Sequence, residues 1–153
     1  MKIVAKTDVG MVRESNQDSY TTGELPNGVA WAVVCDGMGG AAGGNVASST
    51  AVKVIAEQIT SSFRPGMSAN SIKNMMVSAI NAANISVYDI SCSNSELYGM
   101  GTTVVCAIVM EHIAYIAHAG DSRAYIVSHG ALTQLTRDHS VVQELVEHGK
   151  ITA

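Results

Sequence analysis

An apolar run of strand length, Gly28-Val29-Ala30-Trp31-Ala32-Val33-Val34-Cys35, stops at Asp36 and is followed by glycines at 37, 39, 40, 43 and 44. Nearly continuous hydrophobicity predicts a strand buried on both faces, and the glycines end it. Asn45 offers a helix cap ahead of Val46, Val52, Ile55 and Ile59, which recur at helical spacing. A buried strand turning through glycines into a helix demands a layered fold with both element types. The chain has 153 residues, which suits one core, so it is read as a single domain over 1–153. Hydrophobic residues make up 47% and charged residues 14%, which excludes low-hydropathy disorder. With one Trp, one Phe and eight Met, the interior must be built mainly from Val, Ile, Ala and Met.

The remaining elements follow from periodicity. Lys2 to Asp8 alternates and predicts a strand. The first helix should end near Phe63, before the turn Arg64-Pro65-Gly66, and Ile72, Met76, Ile80, Ala83, Val87 and Ile90 mark a second long helix. After the polar loop Ser91 to Gly99, Thr102–Met110 and Ile113–His118 form an antiparallel hairpin around Glu111-His112. Short strands are expected at Arg123–Val127 and Ala131–Leu135, and a final helix over Ser140–His148. Strands, two consecutive helices, then strands and a helix describe an α+β domain better than repeating βαβ units.

Charge and cysteine content narrow the function. A net charge of −4 with no stripe of Lys or Arg argues against nucleic acid as a partner. No apolar stretch approaches the roughly 18 to 20 residues of a membrane helix, and the amino terminus lacks a signal-peptide core, so a cytoplasmic protein with no membrane partner is expected. Cys35, Cys92 and Cys106 are odd in number and show no C-x-x-C spacing, which speaks against a disulfide framework or a zinc site.

Four polar clusters interrupt the apolar segments. Asp36-Gly37 delivers a carboxylate to a strand end beside a residue without a side chain, a corner that suits a hard cation as well as a simple turn. Gly37-Met38-Gly39-Gly40-Ala41-Ala42 also fits G-x-G-x-x-A, but Asp36 would sit where a pyrophosphate must lie, and the following element is a second helix. Arg13 to Asp18 combines a guanidinium able to grip phosphate with an acid able to hold metal-bound water. His118-Ala119-Gly120-Asp121-Ser122-Arg123 again sets an Asp beside a Gly between apolar strands. The fourth cluster is Leu135-Thr136-Arg137-Asp138-His139-Ser140, where Asp138 suits a helix cap.

Taken in order, these segments resemble the metal-dependent serine/threonine protein phosphatases of type 2C, in their bacterial form. The resemblance rests on Thr7-Asp8-Val9-Gly10 through Arg13 and Asn16-Gln17-Asp18, then Val34-Cys35-Asp36-Gly37-Met38-Gly39-Gly40. It continues through Gly99-Met100-Gly101-Thr102-Thr103, Ala119-Gly120-Asp121-Ser122-Arg123 and Leu135 to Ser140. It implies a β-sandwich flanked by antiparallel helix pairs, in α/β/β/α layers, with a centre of two Mn or Mg ions and a third, weaker ion in bacterial members. Carried over, Asp36 bridges the ions, Gly37 lends its carbonyl, Asp18 supports a metal directly or through water, Asp121 binds the third ion and Arg13 binds the substrate phosphate. Gln17 departs from the acid often found at that place in the family. The implied reaction is hydrolysis of phosphoserine and phosphothreonine in proteins by a bridging hydroxide, opposing a serine/threonine protein kinase. The alternative is a phosphatase-like binding module without catalysis, or an inactive fragment of such an enzyme.

Two further Asp residues of the family pattern would lie beyond Ala153, and Glu147 to Ala153 looks like the start of the family's flap. The expectation is therefore a domain truncated before its last strands, catalytically impaired, and able to self-associate through exposed strands.

Overall fold

The apolar run at 28–35 forms β2, Val29–Met38, which continues three residues past Cys35 and so carries Asp36 and Gly37 within the strand. In a computed structural model describing residues 1–140, 143, 147 and 148, β2 lies between β1 (Asp18–Leu25) and β4 (Val104–Met110). β5 (Ile113–Ala119) pairs beyond β4, and the two-residue β3 (Gly101–Thr102) pairs with the end of β2. All these pairings are antiparallel.

Two helices, α1 (Gly40–Ser62) and α2 (Ala69–Ser93), cover one face of this sheet. Ser68 caps α2 by accepting the Ser71 N–H at 3.2 Å. Ile55 and Ile59 of α1, Ile72 and Met76 of α2, and Val33, Cys35, Cys106 and Ile108 of the sheet are sealed from solvent. Small and flexible side chains fill that layer, as the scarcity of aromatics requires. Burial pushes the Cys35 and Cys106 thiols up to about 12, although Thr102 hydrogen-bonds and partly offsets the first. Both behave as core residues.

Several expectations need correction. β2 is covered on one side only: Val29, Trp31, Val33 and Cys35 face the helices, whereas Val34 on the other face is 47% exposed. Its apolar outer face carries Ala32 and Val34, and Ile3 to Thr7 share a cleft with them and Tyr20. Lys2 to Asp8 forms no strand, because no neighbour pairs with it. The strand that does precede β2 is β1, whose polar sequence concealed it. Nor is Asn45 a cap: α1 begins five residues earlier at Gly40, behind Gly39 at φ 130°, and the Asn45 carbonyl instead accepts the Ser49 hydroxyl.

The last pair, β6 (Tyr125–Ser128) and β7 (Ala131–Gln134), forms a separate two-stranded sheet. The helix expected over Ser140–His148 and the flap expected from Glu147 to Ala153 fall largely outside the described residues. An α+β architecture of antiparallel sheets and a helix hairpin is what the described residues display. None of their helices is long and apolar enough to cross a membrane.

Candidate metal centre

Register brings the first two clusters together. β1 and β2 pair from Leu25↔Val29 to Asp18↔Asp36, so two carboxylates stand directly opposite each other at the end of the ladder. Opposed cross-strand residues lie within about 5.5 Å at Cβ, and like charges there repel. Partial desolvation, then the charge of Asp18 and a hydrogen bond shared with it, hold the Asp36 carboxyl above its ordinary value, while Arg13 opposes the shift and Asp121 adds to it. Asp36 thus feels all three of the other predicted site side chains. Among the described residues neither carboxylate is held in a salt bridge, and Arg13 acts on Asp36 only through its charge.

Asp36 is gripped by its backbone. Its N–H donates to Thr103 Oγ1 at 3.0 Å, and its carbonyl accepts the Thr103 N–H at 2.9 Å and the Thr102 hydroxyl at 3.0 Å. The next peptide is held as well, since Gly37 N–H donates to the Gln17 carbonyl at 3.1 Å. Glycine is required there for space, because a Cβ at Gly37 would fall inside the backbone of Gly44. α1 therefore approaches β2 through two glycines, and Gln17 Nε2 closes the corner by donating to the Gly40 carbonyl at 2.6 Å. That bond gives Gln17 a role in tying the polar segment to the glycine turn.

Ahead of β1, the Arg13 segment is shaped by side-chain to backbone bonds. Asp8 Oδ1 accepts the Gly10 N–H at 2.7 Å, Asn16 Oδ1 accepts the Asp18 N–H at 3.0 Å, and Asn16 Nδ2 donates to Thr7 Oγ1 at 2.6 Å. Such turns place the exposed Arg13 without packing it.

The third and fourth clusters join each other. Arg123 donates from Nε to Asp138 Oδ1 at 2.9 Å and from Nη2 to Asp138 Oδ2 at 2.7 Å. This fork holds the Asp138 carboxyl below its ordinary value. Asp138 is thus a partner of Arg123, and the helix it was expected to cap lies largely outside the described residues. His118 and His139 stack with centroids 4.6 Å apart, and the His139 N–H donates to the Gly120 carbonyl at 2.9 Å. Asp121 is consequently held on a turn beside Thr103, since a Cβ on Gly120 would come within 2.8 Å of the Thr103 methyl.

The donor set of Asp18, Asp36 and the Gly37 carbonyl is all oxygen, which matches Mg or Mn and not a soft metal. Among the described residues no three His, Cys, Asp or Glu side chains converge as a metal cluster, so Asp121 stands at longer range than the opposed pair. Thr102 and Thr103 belong to a motif quoted from the sequence, yet their grip on Asp36 was not foreseen. A β-rich threonine pair carries no signal of which backbone it will hold.

The fold and site define an α+β domain with a pair of opposed carboxylates at one end of its main sheet. The family model for protein phosphatase 2C matches residues 12–148. The serine/threonine phosphatase Stp of Listeria monocytogenes is 36% identical over 147 residues, covering 96% of this chain and 58% of that protein. Among solved structures, the S. agalactiae serine/threonine phosphatase superposes with a TM-score of 0.87 at 34% identity, covering 96% of this chain and 60% of that one. The catalytic domain of PstP in complex with two manganese ions reaches 0.79 at 33% identity, with coverage of 96% and 60%. The chain belongs to the protein phosphatase 2C family, and it spans about three fifths of the length of the curated relatives it matches.

Proposed function

We propose that this site serves metal-dependent hydrolysis of phosphoserine and phosphothreonine in proteins, reversing the work of a serine/threonine kinase. The observation that carries the reading is the Asp18↔Asp36 pair, two opposed carboxylates with Asp36 held above its ordinary value. Asp36, Asp18 and the Gly37 carbonyl would hold Mn or Mg, and Asp121 a further ion. The metals, when bound, supply Lewis acidity at the phosphoryl oxygens and a nucleophilic water of lowered pKa.

The chain's own residues do the rest. Two bare carboxylates repel a phosphate dianion, so they admit substrate only when their charge is neutralised. Arg13 offers a planar fork of donors to the phosphate oxygens. The paired bonds from Thr103 keep Asp36 at a fixed place on the strand, which is what orientation for in-line attack requires. Cys35, next to Asp36, is buried with its thiol pushed up to about 12, so it is no thiolate nucleophile.

Calorimetric titration with Mn and phosphate release from a phosphothreonine peptide test the reading on this chain. The expected result is impaired release that needs Mn and stops in EDTA. Turnover that persists under chelation would overturn the metal mechanism, and Mn binding without release would select a phosphatase-like binding module. The open hairpin β6–β7, with Ile126, Val127 and Leu132 exposed, supports association between copies through strand edges, and concentration-dependent sedimentation would reveal it.

A further inference from the structure

Thr103 sits at the break between β3 and β4, where Gly37↔Thr102 and Val34↔Val105 bracket it against Asp36. Freed from a continuous ladder, it uses both backbone and side chain on one residue: its hydroxyl accepts the Asp36 N–H, and its N–H donates to the Asp36 carbonyl. The same hydroxyl lies 2.6 Å from Ser122 Oγ, a hydrogen bond to the residue after Asp121. Its methyl packs on Gly120, which holds φ 101° in a region a side chain would strain. Thr103 is buried, so water does not replace these bonds. One side chain therefore touches both the strand that carries Asp36 and the turn that carries Asp121.

We propose that Thr103 is a positioning residue that, through Ser122, ties the Asp18/Asp36 pair to the Asp121 turn and holds the two halves of the metal centre in register. This rests on the metal-centre reading above. A Thr at this place has a different task from the residues that meet the ions: it sets the distance between them. Removing its hydroxyl leaves the Asp36 N–H without its acceptor and the Ser122 hydroxyl without its partner, and both ends relax independently.

The test uses the full chain and two readouts, Mn affinity by calorimetry and amide hydrogen exchange at Asp36 in the metal-free protein. Thr103→Val should weaken Mn binding roughly tenfold, the effect of losing one well-placed buried hydrogen bond, and should speed exchange at Asp36. Thr103→Ser keeps the hydroxyl and should restore both to near the wild-type values. Ser122→Ala should weaken binding less, and should cost nothing further when added to Thr103→Val, since the link is already cut. Wild-type behaviour of Thr103→Val in both readouts would overturn the proposal. So would a Thr103→Ser variant as poor as Thr103→Val, which would assign the effect to the methyl. Should Thr103→Val fail to fold, Ser122→Ala decides, and unchanged affinity with unchanged Asp36 exchange would overturn the link. A wild-type chain that binds no Mn would defeat the metal-centre reading instead, while exchange at Asp36 still judges the role of Thr103.

Discussion

Asp36 lies near the end of β2 and Asp138 just beyond β7, and the protein treats the two acids in opposite ways. Asp138 is met by a two-pronged Arg123 and held below its ordinary value, with its side chain only 13% exposed. Asp36 is met across the ladder by another carboxylate and held above its ordinary value. A charge satisfied within the fold is finished business for that fold, and its removal is felt as lost structure. A charge left facing its like is a standing cost that only an added cation relieves. The contrast separates an acid paired within the fold from one opposed by its like, without reference to any relative.

Substituting the two sites should split that contrast most widely. Asp36→Asn should lower Mn affinity by at least about a hundredfold, beyond the range for loss of an outer partner, and abolish Mn-dependent phosphate release. The melting temperature of the metal-free protein should stay the same or rise, because repulsion has been removed. A metal-free protein clearly destabilised by Asp36→Asn would break the comparison.

Gly37→Ala sharpens it from the packing side. The added methyl has nowhere to go against the Gly44 backbone, so a loss of about 1–3 kcal/mol or more in urea unfolding is expected. Arg123→Ala is the smaller, mirror-image test. It should lower the melting temperature and loosen the β6–β7 region, seen as faster exchange at Leu135, whose N–H donates to the Ala124 carbonyl. Mn affinity should be unchanged, and a large loss there would make the Arg123–Asp138 pair part of the centre.

What could be read from the chain follows the same division. Apolar periodicity exposed β2, both helices and the β4–β5 hairpin, because burial against a common core writes itself into spacing. β1 stayed hidden, since Asp18-Ser19-Tyr20-Thr21-Thr22-Gly23-Glu24-Leu25 covers an edge with only Leu25 fully buried. The start of α1 was misplaced because its glycines are poor helix formers, kept for their close approach to β2. At the site, Asp36, Asp18 and Arg13 stand out in the sequence as residue types suited to metal and phosphate. Their opposition across one ladder depends on a register that no local spacing encodes. The fork between Arg123 and Asp138 was missed for a related reason, since fifteen residues and a hairpin separate its ends.

Titration offers the finest test, because the two acids must bend the stability curve in opposite directions. Both start from an ordinary value of 3.8. Asp36 is raised in the folded protein, so the folded state binds its proton more tightly than the unfolded chain does. Its favourable contribution is complete below 3.8 and disappears as pH rises through the elevated folded value. Asp138 is lowered, so its contribution is present above 3.8 and fades as pH falls through the depressed folded value. Urea unfolding of metal-free protein between about pH 3 and 7 should therefore show Asp36→Asn gaining on the wild type as pH rises from the acid end, and Arg123→Ala losing ground over the same direction. Mn at saturating concentration should erase the Asp36 penalty at neutral pH, because a ligand that binds only the folded state offsets the repulsion it neutralises. Curves of the same sign for the two variants would show that Asp36 is compensated inside the protein after all, and the distinction between an acid paired within the fold and one opposed by its like would fall with it.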